Sequence, residues 1–330
     1  MKKILTFKNR PKILFTHTVC GPKEAEGNLA GFVDEKISDD RFGEKSFELA
    51  ERKMLTRSIK GVIKKAGLNN GEIGAIISGD LLNQIISASF SAREFDSGFL
   101  GVYNACSTMS ESMLIAAALV DGGYMNNVIC ATSSHFATAE RQYRYPLEQG
   151  TTRPAQSQWT VTGAGANLIG EADKGVSVTA AAIGHVIDYG ITDANNMGAA
   201  MAPAVAHTLL DFFAERKTSP DEYDLILTGD LGALGSRLLK TLLKKKGVDM
   251  DNHLDCGELI YNMDEREFQG GSGAGCSAVV FNSYIYKRML LGDYKKALFI
   301  ATGALMSTTS AQQGESIPGI AHLIELAADV

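Results

Sequence analysis

A cysteine at the start of an apolar segment is the residue best placed to do chemistry in this sequence. Cys106 stands in the stretch Asn104-Ala105-Cys106-Ser107, and an apolar run to about Val120 follows, which is typical of a buried helix. The positive end of a helix dipole can lower the pKa of a thiol from about 8.5 and make it a nucleophile. The alternative is structural, because cysteine is also a common small, buried hydrophobic residue.

The remaining cysteines offer neither a metal site nor a disulfide framework. The chain has five cysteines, and no two of them form a Cys-x-x-Cys pair. An odd number without paired spacing argues against a structural zinc site and is typical of a reducing compartment. We therefore expect no protein-bound metal and no cofactor.

Cys106 belongs to a segment that occurs twice in the chain. The segment from Cys106 to Thr132 is matched by the segment from Cys276 to Thr302, at a constant offset of 170 residues (276 − 106 and 302 − 132). Both segments begin with Cys-Ser, carry glycine near the middle and end with a short apolar run and Ala-Thr. Each pattern predicts a helix, a turn and a buried strand.

A second pair of matching segments lies upstream of the first pair, one segment in each half. In the first half, an amphipathic helix that ends at Gly67 precedes an apolar strand and Ser78-Gly79-Asp80. In the second half, a helix from Met197 to Phe213 precedes the strand Leu225 to Leu227 and then Thr228-Gly229-Asp230. The two halves therefore share one order of elements.

This order predicts the architecture and the place of the site. Strands that alternate with helices indicate parallel sheets with crossover helices, so two copies predict two sheets related by a pseudo-twofold axis. We place the halves at residues 1–172 and 173–330, interlocked in one globular unit. Ligands of open α/β sheets bind beyond the carboxyl ends of the strands, near helix N-termini.

Composition excludes several classes of function. The net charge is -6, and no basic patch with interleaved aromatic residues occurs, so we expect no nucleic-acid partner. No run of about 18 apolar residues is present, which predicts that no segment spans a membrane. Lysine and arginine interrupt the apolar residues up to Val19, so we predict no signal peptide. Membrane association, if it occurs, is expected to be peripheral.

The residues around Cys106 resemble those of the thiolase superfamily, and their layout is most similar to the ketoacyl synthase III branch. The resemblance rests on Asn104-Ala105-Cys106-Ser107, on Gly163-Ala164-Gly165-Ala166 and on the duplicated order of helices and strands. It implies an α/β, thiolase-like fold in which two duplicated βαβαβαββ halves form a five-layered α-β-α-β-α sandwich. It also implies a homodimer.

The second half departs from that branch where its catalytic groups are expected. The branch has a histidine after a strand and an asparagine before the last long helix. Here Gly229 or Asp230 takes the place of the histidine, and no histidine lies between His207 and His253. Gly271 takes the place of the asparagine.

These losses argue for a binding protein. A positioned acid–base group contributes about 10²–10⁴ to a rate, and an oxyanion-hole donor contributes about 10²–10³. Without both groups, little carbon–carbon bond formation is expected, so we predict no catalytic residues. The alternative is an active acyltransferase that uses Cys106 and recruits a base from elsewhere, for which His135 is the candidate.

Longer stretches resemble the stage V sporulation protein AD family from end to end. The most specific are residues 139–146 (AERQYRYP) and 151–166 (TTRPAQSQWTVTGAGA). The resemblance implies binding of dipicolinic acid (pyridine-2,6-dicarboxylate) or its calcium chelate, for uptake into the developing bacterial endospore. It also implies a peripheral place at the spore inner membrane, other stage V sporulation membrane proteins as partners, and a link to germination. Calcium is then expected only as the chelate of the ligand.

A flat, aromatic dianion needs a slot for its ring, hydrogen-bond donors and a positive potential. We expect the helix that begins at Cys106 to offer backbone N–H groups, while the thiol lines the pocket without reacting. The other candidate ligand-binding residues follow strands or precede a helix: Ser134, His135, Gly229, Asp230, Ser272, Gly273 and His185. His135 could instead be a satisfied buried histidine, Asp230 could belong to a solvated turn, and an apolar run of strand character favours a core position for His185.

Three arginines and a pair of asparagines have two interpretations each. Arg141, Arg144 and Arg153 could neutralise the carboxylates of the ligand at the pocket mouth or stabilise the dimer, and the second role is slightly favoured. Asn195 and Asn196 are favoured as caps of the helix that begins at Met197.

Overall fold

The computed structural model describes residues 4–144, 146–262 and 269–329. Its strands are β1 (Ile4–Thr6), β2 (Lys12–Cys20), β3 (Glu35–Lys36), β4 (Ala75–Gly79), β5 (Gly98–Gly101), β6 (Val128–Ser134), β7 (Trp159–Thr160), β8 (Gly163–Gly170), β9 (Gly175–Ala182), β10 (Leu225–Thr228), β11 (His253–Asp255), β12 (Gly271–Ser272), β13 (Lys296–Ala304) and β14 (Gly319–Asp329). Its α-helices are α1 (Phe47–Ala66), α2 (Ile86–Ala92), α3 (Thr108–Asp121), α4 (Phe136–Tyr143), α5 (Met197–Arg216), α6 (Gly232–Lys244), α7 (Cys256–Ile260), α8 (Ala274–Val280), α9 (Tyr286–Leu290) and α10 (Thr308–Gln312).

The main strands form two sets with the same order. In the first half the order is β5-β4-β6-β8-β2, and in the second half it is β11-β10-β13-β14-β9. If each half is numbered along the chain, both sets have the order 3-2-4-5-1. The duplication that the sequence predicts is therefore present in the topology.

The sheets differ from the prediction in two respects. First, β2 pairs with β9 at Lys12–Ser177 and Ile13–Val176, so hydrogen bonding joins both sets into one sheet of 12 described strands. Second, β8 and β14 run antiparallel to their neighbours, so each half is mixed. The cause is that the segments before β8 and β14 join neighbouring strands at the same end of the sheet, without a crossover helix that would carry the chain back to the other end.

Helices fill three layers around the two sets of strands. Helix α3 contacts β4 and β6 on one side and β13 and β14 on the other, and α8 packs beside it, so these helices form the central layer. Helix α1 covers the outer face of the first half, and α5, with α6 packed against it, covers that of the second. This is the five-layered α-β-α-β-α sandwich that the sequence predicted.

The helix ends follow from local sequence. The Ser46 hydroxyl accepts a hydrogen bond from the Leu49 amide at the start of α1, and Gly67 ends that helix with φ +66°, as predicted. The Asn196 side chain caps α5 by accepting from the Ala199 amide at 3.3 Å, which confirms its predicted role.

Burial of helix faces stabilises these layers. Met109, Met113 and Phe281 are buried in the central layer, and the Phe281 ring stacks on that of Phe299 from β13, with centroids 4.5 Å apart. Each large apolar side chain contributes roughly 1.5–3 kcal/mol on burial. The central helices, and the loops at their N-termini, are thereby held in a rigid body.

One described helix, α5, is long and apolar enough to cross a membrane. Its 18-residue window has a mean hydropathy of 1.3, but 67% of that window is buried inside the protein. A core helix meets the same criteria, and α5 packs on β13 and β14.

Two predicted boundaries are wrong in ways that matter for the site. Strand β6 continues to Ser134, whereas the sequence suggested an end at Thr132, so Ser134 lies within the strand. Helix α3 begins at Thr108, two residues after Cys106, which therefore lies in the turn before the helix.

Candidate functional site

A pocket lies over Cys106, at the carboxyl ends of the central strands. The space open to the centre of a water molecule is about 40 Å³, and about 450 Å³ lies between the lining atoms when the open solvent at the mouth is included. Its walls are mainly apolar, with a few polar groups, and are formed by Leu81, Tyr103, Ala105, Cys106, Ala139, Tyr143, Arg144, Thr160, Met197, Met201, Ser272, Ala304 and Met306. Of the candidate residues named from the sequence for ligand binding, Cys106 and Ser272 line this pocket.

A tight turn presents Cys106 to the pocket. Ala105 has φ +50°, a left-handed conformation that is uncommon for residues other than glycine. The Ser107 hydroxyl donates to the Ala301 carbonyl at 2.9 Å and accepts from the His322 amide at 3.3 Å. These bonds tie the turn to β13 and β14, and they leave Cys106 8% exposed.

The thiol of Cys106 faces a carboxyl group. Burial raises the pKa of the Cys106 thiol well above its usual value, and the neighbouring Asp230, which accepts the hydrogen bond of the thiol, raises it further. The prediction that the helix dipole lowers this pKa is therefore wrong. Burial of the sulfur, and after it the carboxyl group beside it, outweighs the partial charge of the helix end.

Asp230 is the centre of a buried hydrogen-bond network. It accepts from the Gly273 amide at 2.8 Å, from the Ser272 hydroxyl at 3.3 Å and from the Thr302 hydroxyl. The carboxyl group is 0% exposed, and burial raises its pKa. The structure thus brings Asp230, Ser272 and Gly273 together as predicted, but the Gly273 amide is used by Asp230, and the interpretation of Asp230 as part of a solvated turn is wrong.

The cation of the pocket is Arg144. Its side chain is 5% exposed, lies 2.7 Å from the Glu140 carboxylate and donates to the Thr160 hydroxyl at 2.9 Å. Glu140 also pairs with Arg153 at 3.3 Å, so two guanidinium groups share one carboxylate. The sequence slightly favoured Arg144 at a dimer interface, whereas the structure places it in the pocket wall.

His135 and Ser134 do not line the pocket. The His135 ring caps α4, because Nδ1 accepts from the Ala137 amide at 3.1 Å, while Nε2 donates to the Asp40 carbonyl at 2.7 Å. Burial lowers the pKa of His135, so the ring is neutral. The Ser134 hydroxyl donates to the Val161 carbonyl at 2.7 Å and accepts from the Gly275 amide. Both contacts support the structural interpretation of these residues.

Gly229 and His185 also lie away from the pocket lining. A Cβ atom at Gly229 would lie 2.9 Å from the Ala301 Cα atom, so this glycine allows close packing of two strands. His185 follows the end of β9 and is exposed, with its ring centroid 5.0 Å from that of His207. The predicted core position of His185 is wrong because β9 ends at Ala182.

Two tyrosines form a wall that the sequence did not predict. The hydroxyl oxygens of Tyr103 and Tyr143 lie 3.1 Å apart, and the Tyr143 hydroxyl donates to the Leu81 carbonyl. Burial raises the pKa of both tyrosines, so both hydroxyls stay protonated. A sequence signal existed for the neighbouring arginine only, since Glu140 and Arg144 have the i,i+4 spacing of a helical ion pair.

A histidine near the turn was also missed. His322 Nε2 lies 3.1 Å from the Asn104 side-chain nitrogen, and Nδ1 accepts from the Gly184 amide at 3.1 Å. Burial lowers the pKa of His322 to about 4, so the ring is neutral. Neither His322 nor Asn104 is among the described residues that line the pocket.

Solved structures share this architecture. A variant of OleA from Xanthomonas campestris aligns with 98% of this chain and 99% of its own, at a TM-score of 0.62 and 13% identity. The 3-oxoacyl-[acyl-carrier-protein] synthase III of Aquifex aeolicus aligns with 96% of this chain and 99% of its own, at a TM-score of 0.55 and 13% identity. At this level of identity the likeness establishes the fold alone, and that fold is the thiolase-like fold of these condensing enzymes.

Sequence comparison identifies the nearer relationship. Stage V sporulation protein AD of Bacillus subtilis (strain 168) is 44% identical over 306 residues, which are 92% of this chain and 90% of that protein. The family model of stage V sporulation protein AD matches residues 1–327. This chain therefore belongs to the stage V sporulation protein AD family.

Proposed function

We propose that this protein binds dipicolinic acid, as the free dianion or as its calcium chelate, without catalysing a reaction on it. The observation that carries the proposal is the buried guanidinium of Arg144 in the wall of an otherwise apolar pocket, beside a thiol that is held protonated. Membership of a sporulation family supports a role of this binding in loading the developing endospore.

The pocket walls suit a flat aromatic ring with acidic substituents. Met197, Met201 and Met306 supply adaptable apolar contacts, and thioethers pack favourably against aromatic rings. Arg144 offers a planar donor group that matches a carboxylate, and the Thr160 hydroxyl lies beside it. Arg144 and Arg153 both pair with Glu140, so two guanidinium groups lie at this corner of the pocket, where they favour an anionic ligand.

The same geometry disfavours catalysis at Cys106. A nucleophilic thiol needs a base that takes its proton, but the neighbour of this thiol is a carboxyl group. Burial raises the pKa of Asp230, and it raises the pKa of the Cys106 thiol as well, which Asp230 raises further. Proton transfer from sulfur to Asp230 is thus unfavourable, and among the described residues no histidine lines the pocket.

Calcium, where it takes part, is expected to arrive with the ligand. In the described part of the chain, no group of three or more His, Cys, Asp or Glu residues could hold a metal ion. The two carboxylates and the ring nitrogen of dipicolinate chelate the ion themselves. We propose that calcium belongs to the ligand and that the protein recognises the outer face of the chelate.

We further propose a homodimer and a peripheral site at the spore inner membrane, with membrane-embedded stage V proteins as partners. Among the described residues, β5 pairs with β4 on one side, and no strand covers its other side. Leu100 on this edge is 43% exposed, and Phe90 on the adjacent α2 is 46% exposed. An open strand edge with apolar side chains favours pairing with a second chain.

Titration calorimetry with dipicolinate, with and without calcium, tests the binding proposal. Cys106→Trp fills the slot, so we expect no measurable binding. Arg144→Gln removes a charge-assisted hydrogen bond worth about 1.5–3 kcal/mol, so we expect affinity to fall roughly 10- to 100-fold. Arg141→Gln is the matched control, because Arg141 lies outside the pocket lining and is 40% exposed in its side chain, and it should bind like wild type. Unchanged affinity in Cys106→Trp would rule out this pocket.

The competing function is acyl transfer through Cys106, which we consider because condensing enzymes share the fold. Incubation with radiolabelled acetyl- or malonyl-coenzyme A separates the two functions. We expect neither a stable adduct nor turnover in wild type. A labelled adduct that disappears in Cys106→Ala and turns over would establish the enzyme instead.

A further inference from the structure

Two buried carboxyl groups lie behind the pocket wall and take no part in the site described above. Glu51 lies on α1, and Asp80 directly follows β4; both are 0% exposed. After burial, the charge of Asp80 is the largest influence on the pKa of Glu51. Glu51 lies 3.0 Å from the Ser133 hydroxyl, and Ser133 follows Thr132, the register partner of Gly79, so the Glu51 carboxyl lies beside the strand end that Asp80 follows. Neighbouring buried carboxylates disfavour double ionisation.

The hydrogen bonds of Asp80 identify it as the charged partner. One carboxylate oxygen accepts from the Leu82 amide at 2.8 Å, and the other accepts from the Ala88 amide at 2.8 Å. A backbone amide can only donate, so both oxygens must remain acceptors. A proton on Asp80 would break one of these bonds.

The hydrogen bonds of Glu51 are compatible with a proton. Its two oxygens lie 3.0 Å from the Ser133 hydroxyl and 2.8 Å from the Thr138 hydroxyl. The Thr138 hydroxyl also lies within donor distance of the His135 carbonyl, at 3.1 Å. It can therefore donate to that carbonyl while it accepts the proton of Glu51. The neutral acid keeps every contact, so Glu51 holds the proton of the pair.

Asp80 clamps a strained part of the pocket wall. Between its two bonded amides lie Gln84 and Ile85, with φ values of +56° and +47°. A β-branched residue rarely adopts this conformation, which costs about 1–3 kcal/mol and persists only when the surroundings enforce it. On the pocket side, the Leu81 carbonyl accepts from the Tyr143 hydroxyl and from the Gln142 side chain. Leu81 and Tyr143 both line the Cys106 pocket.

We propose that the pair of Glu51 and Asp80 carries one proton, held by Glu51, and that loss of this proton releases residues 81–88 and so links binding in the Cys106 pocket to pH. The ligand half of this inference rests on the proposed function. Asp80 is a positioning residue, since it acts on the ligand through the wall.

The groups around the pair give the direction of the effect. Glu48, on the same helix as Glu51, raises the pKa of Glu51 in addition to burial and Asp80, and only the Thr138 and Ser133 hydroxyls lower it. Asp80 is faced by Tyr103 and Tyr143, which are neutral, and burial raises its pKa while its backbone bonds lower it. His135, at the start of α4, is neutral. Because the pKa of Glu51 is raised on folding from 4.5, its contribution to stability is fully present below that unfolded-state pKa and is lost progressively as pH rises through the folded-state pKa.

Amide hydrogen exchange in the ligand-free protein tests the clamp directly. We expect protection factors at Leu82 and Ala88 to fall at least tenfold between about pH 7 and about pH 9.5, where buried glutamates titrate. Protection at Ala131, inside β6, should stay constant. Glu51→Gln carries no titrating proton and can donate to Thr138, so both amides should stay protected across this range. Asp80→Asn loses one acceptor and should leave one of the two amides unprotected at every pH.

A second variant keeps the test decisive if Glu51→Gln folds poorly. The Thr138 hydroxyl lowers the pKa of Glu51, so Thr138→Val should move the exchange transition to higher pH. Constant protection at Leu82 and Ala88 in wild type overturns the clamp. A transition that persists unchanged in both Glu51→Gln and Thr138→Val overturns the role of the pair.

Dipicolinate affinity, measured over the same pH range, separates this inference from the proposed function. We expect affinity to fall with the exchange transition in wild type and to stay constant in Glu51→Gln. If the wall opens and affinity does not follow, the link to binding is wrong. If wild type binds no dipicolinate at any pH, the proposed function fails, while the exchange data still decide whether the clamp exists.

Discussion

Two aspartates at matching places in the duplicated halves have taken different roles. Asp80 follows β4 in the sequence Gly79-Asp80, Asp230 follows β10 in Gly229-Asp230, and both are fully buried. Asp80 binds two amides of its own loop, whereas Asp230 reaches the Gly273 amide at the start of α8 and the thiol of Cys106. The same Gly-Asp sequence after a strand thus holds the loop of the pocket wall in the first half and keeps the Cys106 thiol protonated in the second.

The two cysteines of the repeat differ in the same sense. Cys106 lies in the turn before its helix and lines the pocket, while Cys276 lies inside α8, is 0% exposed and has its sulfur 3.7 Å from the Gly229 carbonyl. The left-handed turn at Ala105 carries Cys106 to the surface of the pocket. Only one of the two equivalent cysteines therefore lines the pocket, because Cys106 lies two residues before the start of α3 whereas Cys276 lies two residues after the start of α8, a relative shift of four residues.

The largest effect on this comparison is expected when Asp230 loses its charge. In Asp230→Asn we expect the thiol pKa of Cys106 to fall, because the carboxylate is its largest raising influence after burial. Each unit lowers the midpoint of the alkylation rate against pH by one unit and raises the thiolate fraction about tenfold. The loss of a buried acceptor also costs about 1–3 kcal/mol in the free energy of unfolding. Iodoacetamide kinetics against pH, with urea unfolding, measure both effects.

Asp80→Asn is the matched control for that variant. It changes the wall beside the pocket, so the plateau rate of alkylation can rise, but the pH midpoint should stay at the wild-type value. Asp80 is not among the groups that shift the pKa of Cys106. Equal midpoints in Asp230→Asn and wild type would contradict the assigned role of Asp230.

The repeat explains why much of the fold was predictable from sequence. The offset of 170 residues aligns α3 and β6 with α8, α9 and β13, and the shared order of elements in the two halves followed from that alignment. Asp230, Ser272 and Gly273 were brought into one cluster for the same reason. Their mutual bonds could not be predicted, because they depend on where β10 ends relative to the start of α8.

The side walls of the pocket could not be predicted from the repeat. Arg144, Tyr143 and Thr160 come from the segment between β6 and β8, which is much longer than its counterpart before β14. This segment has no second copy for comparison, so the slight preference for placing its arginines at a partner interface could not be checked against the other half. His135 was predicted to bind the ligand for a related reason. In the structure both of its ring nitrogens have protein partners, the Ala137 amide at the start of α4 and the Asp40 carbonyl.

A smaller effect is expected when the glycine before α8 is replaced by alanine and the alanine before α3 is replaced by glycine. Gly273 has φ +104°, and a Cβ atom there would lie 2.7 Å from the Ser134 hydroxyl, which is itself held by two hydrogen bonds. Gly273→Ala should therefore cost about 2 kcal/mol or more, from backbone strain and this contact. Ala105→Gly relieves a left-handed alanine and should change stability by less than about 1 kcal/mol. Urea midpoints for both variants test this, and equal losses would mean that the two turns are equally constrained.

The smallest expected effect separates the two cysteines. Cys276→Ala leaves a void in the central layer and should cost about 1 kcal/mol, the usual cost of a cavity the size of a methyl group. Cys106→Ala borders space that is already open and should change stability by less than about 0.5 kcal/mol. Thiol labelling of the folded protein provides a second readout, since Cys106→Ala should remove the fastest-reacting site and Cys276→Ala should leave the labelling rate unchanged. If Cys276→Ala slowed labelling instead, the sulfur in the second half would be the accessible one, and the pocket would have been assigned to the wrong copy of the repeat.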